Sequence, residues 1–217
     1  MRNIITNGCV TINGSTTIVG DGQVVQGNGE IATKMVDAVN FTKIRLDGSV
    51  NVEYVQSDTL ALEINADSNL LEFVQADVFR DTLTVGVTGS FSTNNRISVK
   101  CSAPFIDDIY LRGSGDVEIA TINTPSLNLY VQGSGDISID DGVCDELTAT
   151  VQGSGDIDTS DLKVSVATVQ LQGSGDIRVR CDQSISATLM GSGDIKVYGK
   201  PAHQRVNEQG SGRIKFK

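Results

Sequence analysis

The stretch Val169-Gln170-Leu171-Gln172-Gly173-Ser174-Gly175-Asp176-Ile177-Arg178-Val179 decides the fold, because the chain writes versions of it again and again. Gly-Ser-Gly-Asp stands at Gly113 to Asp116, Gly133 to Asp136, Gly153 to Asp156, Gly173 to Asp176 and Gly191 to Asp194, and a sixth copy reads Gly210-Ser211-Gly212-Arg213. Successive copies are 20, 20, 20, 18 and 19 residues apart, and a fixed period in this range marks an architecture of stacked repeats. Before each corner, Ile109 and Leu111, Leu129 and Val131, Ala149 and Val151, Val169 and Leu171, and Ala187 and Leu189 alternate with mostly polar residues. After it come Val117 and Ile119, Ile137 and Ile139, Ile157 and Thr159, Ile177 and Val179, and Ile195 and Val197. A period of two predicts β-strands with one buried face on both sides of every corner. The glycines flanking Ser permit the positive φ of a tight corner.

At about 3.3 Å per strand residue, one unit traces roughly 60 Å, which suits a turn of a solenoid better than a hairpin. Every copy also reads in the same direction, whereas hairpin repeats would reverse the apolar pattern. The predicted fold class is all-β, a single-stranded parallel β-helix with about 18–20 residues per coil and corners stacked about 4.8 Å apart. No such coil buries its apolar face alone, so stability comes from neighbouring coils. The last coil breaks the rule, with Glu208 where an aliphatic is expected and Arg213 in place of Asp. That substitution suits a polar end cap with a final charged edge strand at Arg213 to Lys217.

Upstream of the corners the alternation persists, through Phe41, Ile44 and Leu46, then Val50, Val52 and Tyr54, Leu60, Leu62 and Ile64, Leu83, Val85 and Val87, and Ile97 and Val99. Asp47-Gly48 reads as a turn there. Between Asn69 and Phe79 the apolar spacing fits a short helix or irregular coil, covering one side or the N-terminal end of the solenoid. Residues 1–36 form a polar, Gly-rich segment expected to be hairpin-like or partly unstructured; residues 37–217 form the β-helix domain, with the corner-bearing coils at 105–217.

The whole chain of 217 residues fits one domain. Aromatics are 5% and Trp is absent, so the core must be aliphatic, while twelve of the 23 glycines sit in the six corners. A net charge of −10 argues against a nucleic-acid partner and against docking on an anionic membrane. Cys9, Cys101, Cys144 and Cys181 are far apart, with no His nearby, and read as buried or free thiols rather than metal ligands. No run of 18 apolar residues is present, so no transmembrane segment is expected. Met1 to Val10 does not read as a signal peptide; the chain is then cytoplasmic or begins after a leader was removed.

Strand segments in the first half, followed by repeats of apolar-x-apolar-Gln-Gly-Ser-Gly-Asp-Ile, resemble the GIN-type head domain of autotransporter adhesins, a bacterial family of unknown function. The resemblance covers about residues 37–217. It implies a right-handed parallel β-helix in a cell-envelope or secreted protein, and it carries no catalytic residues.

Stacking turns each repeat position into a column. The corner carboxylates Asp116, Asp136, Asp156, Asp176 and Asp194 form a ladder whose neighbours repel by roughly 1 kcal/mol in bulk water and about 3 to 4 kcal/mol at an effective dielectric near 20. Hydrogen bonds from Ser hydroxyls or corner N–H groups would relieve this, as would a divalent cation held between coils. The Gly-Gly-x-Gly-x-Asp rolls that bind calcium repeat every 9 residues, a poor match to one Asp per 20. A second column, Arg112, Gln132, Gln152, Gln172, Met190 and Gln209, suits amide ladders or a glycan-binding stripe. A third, Glu118, Ser138, Asp158, Arg178, Lys196 and Lys215, runs from acidic to basic, suiting either a solvated face or the pairing of two solenoids. Tyr110 and Tyr130 occupy equivalent outward positions and suit either cross-strand packing or contact with a sugar.

Catalytic signatures are scarce. His203 is the only histidine, so no His-based metal site or nucleophile triad is built around it, and no cofactor is expected. The expected function is non-enzymatic: a binding, adhesion or scaffold module whose partner is a surface glycan or protein. The alternatives are a polysaccharide lyase or hydrolase using the Asp ladder with Arg178 and Arg180, and a structural protein forming homo-oligomers through solenoid ends or faces. Against the enzyme, catalysis needs unlike environments for paired acids, and this ladder makes them alike.

Overall fold

The computed structural model describes residues 4–6, 9–12, 15–18 and 24–217. In the first three of these segments, strands Ile4–Thr6, Cys9–Ile12 and Ser15–Ile18 pair as an antiparallel meander. Cys9's side chain lies outside the described residues.

From Asp108 onward the chain winds as the repeat predicts. The strands entering each corner, Asp108–Gly113, Ile122–Gly133, Gly142–Gly153, Ile157–Gly173, Ile177–Gly191 and His203–Gly210, pair in parallel with Gly113, Gly133, Gly153, Gly173, Gly191 and Gly210 in register. The runs leaving it stack likewise, from Val117–Ile119 to Ile214–Phe216. Along the entering strands up to Ile177–Gly191 the alternating aliphatic residues, outward Val143 and Val166 aside, face inward and are almost fully buried, so the core is a set of Ile, Leu, Val and Ala columns stacked along the solenoid. Full burial of one such side chain stabilises by about 1.5–3 kcal/mol.

Close stacking explains the glycines. The first Gly of each corner has φ between 125° and 149°, and a Cβ there would overlap the carbonyl oxygen of the Gly one coil before. The second has no such φ, yet a Cβ would again strike the carbonyl of the residue stacked beneath it, which from Gly135 onward is the preceding coil's second corner Gly. Both positions therefore exclude every other residue while the coils keep their spacing.

A second bend lies within the long strands, where register skips Pro125, Asp145 and Ser165. Thr124 Oγ1 donates to the Ser126 carbonyl (2.9 Å), Cys144 Sγ to that of Glu146 (3.1 Å) and Cys181 Sγ to that of Ser184 (3.1 Å). The three side chains stand in one inward column, and the thiols do there what a hydroxyl does.

The N-terminal half departs from sequential winding. Gly48-Ser49-Val50-Asn51 is a further corner in register with Gly113 to Asp116, where a lone Asp47-Gly48 turn was expected. Its entering strand Lys43–Gly48 lies between Asp108–Gly113 and Thr82–Val87, and its leaving strand Asn51–Gln56 lies between Val117–Ile119 and Ser98–Ala103. Antiparallel strands close this end: Val74–Phe79 beside Thr82–Val87, Ala61–Asp67 beside Ser98–Ala103, and Ile31–Met35 outermost. Where a short helix or irregular coil was expected between Asn69 and Phe79, a single 3-10 turn, Leu71–Phe73, precedes a strand. Val74 and Ala76 turn inward while Gln75 and Asp77 turn out, and pairing with Thr82–Val87 outweighs the helical spacing.

Asp67 pins this end. Its carboxylate is 1% exposed and accepts hydrogen bonds from the Thr93 hydroxyl, the Asn95 amide (2.6 Å) and the Gly29 N–H (3.0 Å). At the other end Gln204, Val206 and Glu208 continue the columns of Ile185, Ala187 and Leu189. Gln204 donates to the Pro201 carbonyl (3.0 Å) and Glu208 accepts from the Ile214 N–H (2.5 Å), so polar side chains cover the core where stacking stops.

Candidate functional site

The corner carboxylates form a continuous hydrogen-bonded ladder. Oδ1 of each Asp accepts the backbone N–H of the Asp one coil on: Asp116 from Asp136 (3.2 Å), Asp136 from Asp156 (2.8 Å), Asp156 from Asp176 (2.7 Å) and Asp176 from Asp194 (2.9 Å). Asn51 begins the series by accepting from Asp116 (2.8 Å), and the Arg213 N–H ends it on Asp194 (3.0 Å). Of the two expected donors, the corner N–H supplies the bond. The second oxygens are paired mainly at the C-terminal half, Asp176 with Lys196 (3.1 Å) and Asp194 with Lys215 (2.5 Å). Burial acts to raise the Asp176 pKa, but the Asp194 N–H, Lys196 and Arg178 together hold it below the usual value. Lys215 and the Arg213 N–H do the same for Asp194. Among the described residues no three His, Cys, Asp or Glu side chains converge as metal ligands.

Tyr110 and Tyr130 stack face to face, with ring centroids 4.8 Å apart and planes 5° from parallel. The Arg45 guanidinium lies 5.3 Å from the Tyr110 centroid. The Tyr110 hydroxyl donates to Gln132 Oε1 (2.9 Å) and the Tyr130 hydroxyl to Gln152 Oε1 (2.6 Å). The tyrosines therefore take the amide oxygens that a Gln-to-Gln ladder would need, and no amide-to-amide bond joins Gln132, Gln152 and Gln172. The pair stacks ring on ring, and both tyrosines are half-buried. In the middle coils the outward side chains nearest the corner are neutral and polar, Asn128, Thr148, Thr168 and Ser186 in one column, Thr150, Gln170 and Thr188 in the next, then Gln132, Gln152 and Gln172, while Asp108, Arg112, Glu146, Lys163 and Arg205 border this block.

On the other side of the corner, Asp116, Glu118, Asp136, Asp156 and Asp158 surround a hollow of about 270 Å³ floored by Ser138 and bounded by Arg178. Arg178 reaches Asp158 (3.4 Å), Asp176 (3.5 Å) and Asp156 (3.7 Å). A second hollow of about 340 Å³, lined by Val55, Ala61, Glu53, Glu63 and Lys100, lies where Ser98–Ala103 pairs in parallel with Asn51–Gln56 and antiparallel with Ala61–Asp67. Its strands meet through long-range pairings, one parallel and one antiparallel, that follow no sequence period, so nothing in the repeat points to it. His203 is exposed on the last entering strand, beside Ser184, and among the described residues no hydrogen bond or ion pair joins its ring to an acid or a hydroxyl.

No curated protein matches the chain. Among solved structures, a "putative adhesin" from Bacteroides fragilis is similar, at 24% identity and a TM-score of 0.71, over 89% of this chain and 100% of that one. A "putative lipid binding protein" from Parabacteroides distasonis (22% identity, TM-score 0.58, 89% of this chain and 99% of that one) and a "putative adhesin" from Parabacteroides merdae (21%, 0.56, 89% and 98%) share the fold. The family described as "putative auto-transporter adhesin, head GIN domain" matches residues 40–201, which hold all five Gly-Ser-Gly-Asp corners and the extra corner at Gly48. The chain belongs to that family of β-solenoids.

Proposed function

We propose that the chain is a non-catalytic binding module displayed at the cell surface, and that an extended neutral glycan lies across its entering strands. The observation that carries this reading is the field of uncharged hydrogen-bonding side chains, Asn128, Thr148, Thr168, Thr150, Gln170, Gln132, Gln152 and Gln172, held in columns on a rigid parallel sheet. A polymer of repeating hydroxyls fits donors and acceptors that themselves repeat at about 4.8 Å. Tyr110 and Tyr130 contribute by fixing Gln132 and Gln152 rather than by offering an open ring face. Cell-surface placement is supported by the family relationship.

The Asp ladder argues against hydrolysis, since Oδ1 of every corner carboxylate accepts the same backbone N–H and the two that also pair with lysines, Asp176 and Asp194, are held below the usual pKa rather than raised as a general acid would be. Calorimetry against a panel of neutral polysaccharides tests the reading. Binding weakened about tenfold or more by Gln152→Ala with Thr168→Ala is expected, since each lost hydrogen bond contributes about 0.5–1.5 kcal/mol. Absence of binding to the whole panel, binding only to acidic glycans or lipid vesicles, or release of reducing ends would overturn it.

A further inference from the structure

The residues two beyond each corner Asp stand in register on six adjacent parallel strands, Glu118, Ser138, Asp158, Arg178, Lys196 and Lys215. Turned end for end, this column is its own electrostatic complement: Asp158 meets Arg178, Ser138 meets Lys196 and Glu118 meets Lys215. The charges of the whole chain divide at the same place. Residues 177–217 carry eight Lys and Arg against three Asp and Glu, a net of +5, while residues 1–176 carry nine against 24, a net of −15.

We infer that this face pairs two copies of the chain as an antiparallel, two-fold symmetric dimer, with the axis running along the strands between Asp158 and Arg178. An axis in that direction keeps each column opposite itself, reversed, and equal coil spacing in both copies lets every pair form together. The interface is isologous, so it closes at two copies instead of growing into a filament. A parallel arrangement would set Glu118 on Glu118 and Lys215 on Lys215, which repel. In the corner column Asp116 falls opposite Arg213. Where Asp136 falls opposite Asp194, and Asp156 opposite Asp176, Lys215 and Lys196 already hold one carboxylate of each pair. The hollow over Ser138 receives the second copy's Lys196 between Glu118 and Asp158. Arg96 already sits on Glu118 (2.7 Å) and Arg178 on Asp158 (3.4 Å), so the attraction between copies comes from the net acidic hollow over Ser138 facing the basic end of the column, added to these existing pairs.

Six strands and about five residues of each span about 29 by 16 Å, roughly 900 Å² for both copies together, below the 1,200–2,000 Å² or so of stable complexes. The dimer is therefore weak and strongly salt-dependent. It leaves the neutral entering-strand face of each copy uncovered.

Sedimentation velocity on the full chain tests this in about 0.01 M and about 1 M salt, where the Debye length falls from about 30 to about 3 Å. A monomer–dimer equilibrium is expected at low salt, with affinity at least about tenfold weaker at high salt. Glu118→Lys or Lys215→Glu alone gives monomers. Both substitutions in one chain restore the dimer, and so does mixing the two single variants. Circular dichroism melts of the variants control for folding. A monomeric wild type at low salt, a dimer that either single variant leaves intact, or a double variant that stays monomeric would each overturn the inference.

Discussion

At the scale of the residue, the corner is held by what is missing and by one repeated bond. Gly153→Ala places a methyl against the Gly133 carbonyl at a φ of 139°, and backbone on both sides cannot yield. Left-handed strain alone costs about 1–3 kcal/mol, so urea denaturation is expected to show a loss of at least that size, with exposed Ser154→Ala near neutral. Asp156→Asn keeps the acceptor for the Asp176 N–H, as Asn51 does naturally, whereas Asp156→Ala removes it and loses about 1 kcal/mol. Asp67 makes the fold acid-sensitive. The Thr93 hydroxyl, with help from Asn95 and the Gly29 N–H, holds its pKa below the ordinary value despite burial. A group lowered on folding stabilises fully above its unfolded pKa of about 3.9, and that contribution drains as pH falls through the lower folded value. Asp67→Asn is accordingly less stable at pH 7, with a flatter loss of stability below about pH 4; an unchanged slope in urea titrations across that range would refute the assignment. The thiols are the reverse case, because burial pushes Cys101 up to about 12 and Cys144 up to about 11. Cys101, Cys144 and Cys181 should react with a thiol reagent only as fast as the protein opens. Cys144→Thr should melt within about 1 kcal/mol of the parent, because Thr124 already fills that column one coil away.

At the scale of the element, a coil is a unit whose boundaries the sequence states. Removing residues 134–153 joins Gly133 to Ser154 and leaves every column in register. The shortened chain is expected to fold, with the same circular dichroism and a denaturant slope reduced by the surface of one coil; removing ten residues instead turns half the inward aliphatics out of register and should abolish cooperative unfolding. The same logic shows why, although alternation marked the strands Lys43–Gly48, Asn51–Gln56, Ala61–Asp67, Thr82–Val87 and Ser98–Ala103 upstream, the stacking order was legible only from Asp108 on. There, neighbours in space are neighbours in the repeat, so a period of about 20 residues and alternation of two specify both strand and stacking. Around Gly48 the corner survives in register, but Val50 replaces Gly and Asn51 replaces Asp, and its stacking partner begins 65 residues later at Gly113. Thr82–Val87 lies beneath Lys43–Gly48, out of chain order, and antiparallel pairings such as Ile31–Met35 with Ala61–Asp67 leave no periodic trace. Of the site, the Asp, Gln and charge columns could be read as positions. Which groups bond to which could not: the Asp carboxylates choose the next coil's backbone, and the Gln oxygens choose a tyrosine on the preceding coil, because geometry and not residue type selects among several donors.

At the scale of the whole molecule, stability is unevenly spread because each coil is held only by its neighbours. The middle strands Gly142–Gly153, Ile157–Gly173 and Ile177–Gly191 are long, paired on both sides and bury alternate residues on each side of their bend. The N-terminal end is tied by antiparallel strands, by buried Tyr54 donating to the Ala103 carbonyl (2.8 Å) and by the Asp67 cluster. The C-terminal end has none of these. His203–Gly210 is exposed at every residue and pairs on one side only, while Ile214–Phe216 contributes three residues and leaves Phe216 39% exposed. The solenoid is thus expected to open from that end, one coil at a time, before it unfolds as a whole. Hydrogen exchange read by mass spectrometry should show amides of residues 203–216 opening at the lowest free energy, those of residues 195–198 next, and those of residues 147–171 only near global unfolding. Adding Lys215→Glu should deepen the gradient at the C-terminal end, since it breaks the Lys215–Asp194 pair that joins the last strand to the coil beneath it. Uniform protection from residue 147 to residue 216 would show instead that the polar cap, with Gln204 and Glu208 folded over the core, couples the final coil as firmly as an aliphatic column does.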